Sequence, residues 1–257
     1  MGWISSLQTR RFEGRRRIED PIATVLKIRS DEYLMFHYKN CVSELLSAVG
    51  ALEKAPDDLV LELGSAGGVT KELYPYVVTT DIRESPGVDR IVDAEKLPFP
   101  DLSVSAIIAK DVFHHLPNVA DHLKEVRRVL RPGGKIAYLE PNWNLFSRLL
   151  FTFVHPEPFF ACSPTWEFDS DDPMFSNQAL AYIVFDRDLS RFQETFPDFS
   201  AKLDRPHNGL AFVLSGGVYS RNFVSSSLLI RLSQIEKKIP FARDHFGTNR
   251  LIVLTKQ

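Results

Sequence analysis

Apolar and polar positions along this chain follow two periods, and the changes of period mark its elements. Over residues 31–52, Leu34, Tyr38, Val42, Leu45, Leu46 and Val49 recur on one face of a 3.6-residue repeat, which predicts an amphipathic helix. Short apolar runs follow at 59–63, 76–80, 104–109 and 135–139, lengths that suit strands buried on both faces of a parallel sheet. Between the last two, Val119, Leu123, Val126 and Leu130 form one helical face. Asn118 stands ahead of that face as an N-cap, and Pro132, Gly133 and Gly134 stop the helix. Further strands are expected near 199–203 and at 250–255. The order strand, helix, strand repeats, so the fold class is α/β with a doubly wound, mostly parallel sheet.

The first break of period carries the most chemistry. Residues 59–73 read LVLELGSAGGVTKEL, an apolar run that breaks into glycines before a helical pattern, and the next run ends on Asp81, 19 residues after Glu62. Strand, tight turn, helix and a second strand ending on a carboxylate make one nucleotide-binding βαβ unit. Gly64 and Gly68 let the backbone turn sharply and approach a ligand with no Cβ in the way. Ala66, at the place of a third glycine, adds only a methyl group. Asp81 is placed to accept both hydroxyl protons of a ribose, so the pattern calls for an adenosine. The plainer alternative is an ordinary strand-to-helix turn.

The segment that follows narrows the choice. ELGSAGG from Glu62, the acid Asp81, the pair Asp93 and Ala94, FPDLSVSAII, HHL from His114 and RVLRPGGKI from Arg128 stand in an order that resembles the class I S-adenosylmethionine-dependent methyltransferases, small-molecule type. The likeness covers about a third of the chain, 59–142. It implies a Rossmann-like sheet of seven strands with helical and loop inserts, and S-adenosylmethionine as cofactor. It also implies roles: Glu62 reaching the methionine amino group, Gly64, Ser65, Ala66 and Gly68 wrapping methionine and ribose, and Asp81 on the ribose. Ile82 would lie against the adenine, Asp93 and the Ala94 backbone would meet its edge, and 110–113, beginning at Lys110, would close over the sulfonium. Ala66 is a departure from the family's glycine and bears on affinity.

Composition leaves an ordinary globular chain. The 257 residues are 44% hydrophobic with a net charge of −2, enough to bury a sizeable core and contrary to a general nucleic-acid binder. Cys41 and Cys162 have neither metal-ligand spacing nor a disulfide framework, which fits a reducing, cytoplasmic setting. No apolar run reaches the length of a membrane span, and arginines interrupt the amino terminus before a secretory core could form. Met1, Gly2 and Ser6 match a myristoylation pattern, against which the bulk of Trp3 weighs.

The chain divides into a basic arm, 1–30, and one domain, 31–257, with inserts at 143–198 and 207–245 covering the acceptor side. The arm holds seven basic residues against three acids, a solvated segment or a contact for an anionic partner. In the first insert Leu145, Phe146, Leu149, Leu150, Phe153 and Val154 recur at helical spacing, a helix expected to be buried against the sheet. An aromatic, proline-rich stretch follows. In the second, Leu228, Leu232, Ile235 and Ile239 mark an amphipathic helix after LSGGVYSRN, 214–222.

Methyl transfer to a hydroxyl needs a base near neutral pH, and His114 or His115, after the strand at 104–109, supplies one. Adjacent side chains diverge, so one at most is expected at the chemistry, the other packing in the loop. Asp111 orients that histidine or holds the methionine amino group. His155, Glu157 and Tyr138 are secondary candidates. The leading function is methyl transfer to a small or medium-sized acceptor, a hydroxylated saccharide or metabolite. A nicotinamide-dependent oxidoreductase would share the turn and the acid but shows no Tyr-x-x-x-Lys pair, and a cofactor-binding scaffold without turnover would keep the turn alone. The acceptor and the oligomeric state are not written in the sequence.

Overall fold

A computed structural model describes residues 21–53, 55, 57–155, 157–169, 175–207, 209–218 and 224–257. Residues 1–20, with most of the basic arm, and 219–222 of the glycine-containing loop lie outside the described residues. Residues 21–30 form a helix, α1 (Pro21–Ser30), that packs on α2 (Glu32–Val49). Asp31 separates the two by capping α2: its Oδ1 accepts the backbone N–H groups of Tyr33 and Leu34 at 2.9 and 3.0 Å. Gly50, at φ 74°, closes the helix in the left-handed conformation.

The sheet contains β1 (Val60–Leu63), β2 (Val78–Asp81), β3 (Arg90–Ile91), β4 (Val104–Lys110), β5 (Leu130–Pro141), β6 (Phe199–His207) and β7 (Asn249–Lys256), in the order β3-β2-β1-β4-β5-β7-β6. The first five run parallel, and β7 lies antiparallel between β5 and β6. β3 has two exposed residues and no hydrophobic run, so no periodicity announces it. The order reverses direction between β1 and β4, the switch point at which ligands of open α/β sheets bind.

Alternation along the strands sends side chains to two cores. Leu61, Leu63, Ile107 and Ile136 meet α4 (Val119–Val129) through Val119, Leu123, Val126 and Val129. On the opposite face Val60, Ala106, Ile108 and Leu139 meet the Val42, Leu45, Leu46 and Val49 stripe of α2. Asn118 caps α4 as its position foretold, accepting from the Asp121 N–H at 3.1 Å. A third, smaller core joins α1 and α2 to α8 (Leu210–Leu214) and α9 (Ser226–Glu236).

Two helices of the inserts depart from expectation. α5 (Leu145–Phe153) exists, but Leu145, Leu149, Phe153 and the following Val154 are 49–70% exposed, and its buried residues are Ser147 and Phe151. Its apolar spacing reflects a helix lying on the molecular surface instead of one sealed under it. In α9 the side chain that enters the core is Leu229, while Leu228 and Ile235 stay exposed. The remaining helices are α3 (Val69–Leu73), α6 (Leu180–Tyr182), which runs into a π-helical turn (Ile183–Arg187), α7 (Leu189–Thr195) and α10 (Pro240–Phe246).

Candidate active site

A cavity of ≈ 590 Å³ opens at the carboxyl ends of β1, β2, β4 and β5, and Leu63, Asp81, Lys110 and Pro141 line it. All the cofactor residues expected from the sequence, apart from Gly68, line this cavity. Gly68 sits behind them as the residue before α3, at φ 73°.

The glycines have a reason that sequence reading missed. A Cβ on Gly64 would come within 2.3 Å of Val112 Cγ2, one on Gly67 within 1.9 Å of Val25 Cγ2, and one on Gly68 within 2.4 Å of the Gly87 carbonyl oxygen. The turn is bare so that the chain itself can close around it, α1 included. Ala66 takes φ 51°, and Asp81 Oδ2 pins that turn by accepting the Ala66 N–H at 2.8 Å. Asp81 Oδ1 accepts the Arg83 N–H at 3.0 Å. Each carboxylate oxygen keeps a second lone pair for a ribose hydroxyl.

Glu62 provides the sharpest test of whether S-adenosylmethionine fits. Its Oε1 accepts the Thr70 hydroxyl at 2.5 Å, while Oε2 is buried in the cavity wall with no hydrogen-bond partner. Burial raises its pKa, with Thr70 opposing. A buried carboxylate oxygen without a donor is costly unless a ligand supplies one, and an amino acid's ammonium group does so. Lys110 forms an ion pair with Asp111 and lies 4.7 Å over the Tyr38 ring, a contact from α2 that its helical spacing did not disclose. Burial alone would lower the Lys110 pKa, and the Asp111 carboxylate reverses that, so the ammonium stays charged. Asp111 is itself at φ 54°, a strained conformation for a non-glycine residue, with its Oδ1 accepting from Asn249 Nδ2 at 3.1 Å.

At another part of the same cavity the two histidines meet. His114 and His115 belong to a 3₁₀ turn (Phe113–His115) whose first N–H groups are held by Glu140: Oε1 accepts from Val112 and Phe113 at 2.9 and 2.8 Å. Glu140 Oε2 is 2.5 Å from His114 Nδ1. The rings do not diverge. Their centroids are 4.4 Å apart, and His114 Nε2 and His115 Nε2 lie 3.5 and 3.8 Å from one atom, Glu157 Oε2. Burial would lower the His114 pKa, but Glu140 and Glu157 raise it to about 10. Burial and the neighbouring His114 lower that of His115. Burial would raise the Glu157 pKa, yet the histidines around it hold it well below the usual carboxylate range.

Of the secondary candidates, His155 and Glu157 line the cavity. Tyr138 does not: it is fully buried, 2.8 Å from His122 Nε2, in the core. Glu140 and Gln178 were missed. Their sequence surroundings carry no motif, and only the folded chain brings Glu140 to His114 and Gln178 to Glu157.

Residues 61–138 match the family model described as a methyltransferase domain. Over 94 residues the chain is 36% identical to phthiotriol/phenolphthiotriol dimycocerosates methyltransferase of Mycobacterium tuberculosis, covering 31% of this chain and 35% of that one. Over 53 residues it is 42% identical to 27-O-demethylrifamycin SV methyltransferase of Amycolatopsis mediterranei, covering 19% and 20%. The chain therefore spans about a third or less of the length of these curated relatives. The fold is shared with a SAM-dependent methyltransferase from Archaeoglobus fulgidus, at TM-score 0.50 and 18% identity over 88% of this chain and 100% of that one. The matched segment and the fold that surrounds it are thus similar to those of S-adenosylmethionine-dependent methyltransferases, whose methyl donor is S-adenosylmethionine.

Proposed function

We propose that the protein transfers the methyl group of S-adenosylmethionine to a hydroxyl of a small or medium-sized acceptor whose body is largely apolar. The observation that carries this reading is the composition of the cavity wall outside the βαβ unit. Ile28 of α1, Phe151 and Val154 at α5, and Phe212 and Val213 of α8 contribute apolar surface, while His115, Glu157 and Gln178 form a compact polar group. A saccharide would bring many hydroxyls against such a wall, each costly when left without a partner. A single hydroxyl on an apolar body matches it better. The name of the rifamycin relative, which specifies an oxygen position, supports the same reading.

When bound, the cofactor supplies a methyl group already activated on a sulfonium. The chain's own work is to hold and align. Glu62 takes the amino group, Asp81 the ribose, and Ile82, Asp93 and Ala94 the adenine side. Lys110 and the strained Asp111 set the floor between cofactor and acceptor. The acceptor hydroxyl is received at the polar group of His115 and Glu157, with His114 held in position through Glu140.

The test is incubation of the protein with methyl-labelled S-adenosylmethionine and an extract of the source cells, then division of the products between organic solvent and water. Label is expected in a solvent-extractable compound as a base-stable methyl ether, and His115→Ala is expected to reduce its formation at least about a hundredfold. Label confined to water-soluble saccharide contradicts the acceptor class. Absence of label despite bound cofactor favours a scaffold without turnover.

A further inference from the structure

The polar group of the cavity has an arrangement that hydrogen bonding to an acceptor does not require. His114 and His115 each have Nδ1 engaged from behind, the first by Glu140 Oε2 at 2.5 Å and the second by the Phe175 carbonyl at 3.2 Å. A ring anchored through Nδ1–H to a carboxylate or carbonyl presents the lone pair of Nε2 forward, the second-sphere pattern of histidines that ligate metals. Both Nε2 atoms converge on one buried carboxylate, Glu157, which is fixed in turn by the Ser176 hydroxyl at 2.8 Å and by Gln178 Nε2. The three ligand atoms lie within 4.8 Å of one another.

Distance discriminates among geometries. With bonds of about 2.1 Å a tetrahedral ion separates its ligands by about 3.4 Å, and an octahedral one by about 3.0 Å. The 3.5 and 3.8 Å from the two nitrogens to Glu157 Oε2 lie within a few tenths of an ångström of the tetrahedral edge, and the third edge, between the nitrogens, is within 4.8 Å. Charge points the same way. Glu140 and Glu157 are 0% and 5% exposed, and a divalent ion that takes the place of a proton on His114 balances both carboxylates. Two histidines and one glutamate, with a fourth position left open, are a donor set that suits zinc.

We propose that His114 Nε2, His115 Nε2 and Glu157 bind one divalent transition-metal ion, tetrahedral and zinc-like, with the fourth position turned into the cavity. All three residues line that cavity, so the open position is available to an oxygen of the acceptor. This second statement rests on the function proposed above; binding of the ion does not. Glu140, Ser176 and Gln178 are positioning residues.

The test reads the metal directly. The full chain is stripped with a chelator, dialysed and titrated with cobalt(II), whose visible absorption reports tetrahedral coordination, in the parent, His115→Ala and Glu157→Gln. Binding of S-adenosylhomocysteine is measured on the same samples. His114 is left intact because its loss would strand the buried Glu140 carboxylate. Expected are one cobalt per chain with tetrahedral absorption in the parent, loss of that absorption in both variants, and retained S-adenosylhomocysteine binding in all three. No tetrahedral absorption in the parent, or equal absorption in the variants, overturns the proposal and leaves a hydrogen-bonded network. Because cobalt is read without turnover, failure here is distinct from failure to transfer a methyl group.

Discussion

Gly64 shows how one sequence signal can have two causes. Its sequence context calls for close approach to a ligand, whereas the folded chain also needs the space for Val112, 2.3 Å from where a Cβ would sit, at φ 67°. Gly64→Val is therefore expected to remove cofactor binding together with stability, lowering the melting temperature by several degrees. A variant that lost binding and melted with the parent would return the glycine to a purely ligand-facing role. Glu62 and Asp81 were legible because a strand ending in a carboxylate fixes where that carboxylate points. The convergence of His114, His115, Glu140 and Glu157 was not, since it joins positions up to 43 residues apart in sequence through a turn, a strand end and a loop. Divergence of neighbours, sound for an extended chain, fails in a 3₁₀ turn whose two rings are each anchored from behind.

At the scale of elements, α4 does more than cover the sheet. His122, on its buried face, lies 2.8 Å from both the Ala94 carbonyl through Nδ1 and the Tyr138 hydroxyl through Nε2, tying β5 to the loop that carries Asp93 and Ala94. Burial lowers its pKa to about 4 and that of His37 to about 3. Unfolded, either ring takes its proton near pH 6.5; folded, only well below that. The unfolded chain thus binds more protons as pH falls from 6.5 toward 4, and stability declines over that window, at up to about 1.4 kcal/mol per pH unit for each ring. His114, raised to about 10, acts oppositely but between 6.5 and 10, outside this window. Melting temperatures at pH 7 and pH 5 are expected to drop more for the parent than for His122→Gln; an equal drop removes His122 from the account. The strands were legible from their apolar runs. The exposure of α5 was not, because helical spacing records a face without saying what covers it.

For the molecule as a whole, the alternation of strand and helix was enough to foresee the doubly wound sheet and the family likeness its seven strands, whereas the placement of the antiparallel β7 between β5 and β6 was not foreseen. The two-residue β3 and the path of α1 across the glycine turn had no signature. Among the described residues no helix is long and apolar enough to cross a membrane. What unites these features is one cavity that places the buried carboxylates of Glu62 and Asp81 beside a compact polar group.

The central claim is that this cavity holds S-adenosylmethionine, and calorimetric titration of the purified chain addresses it most directly. Stoichiometric binding of S-adenosylmethionine and of S-adenosylhomocysteine is expected, weakened by about 1–3 kcal/mol in Glu62→Gln and in Asp81→Ala, with no measurable binding of NAD. Tight binding of NAD with none of S-adenosylmethionine would contradict the claim.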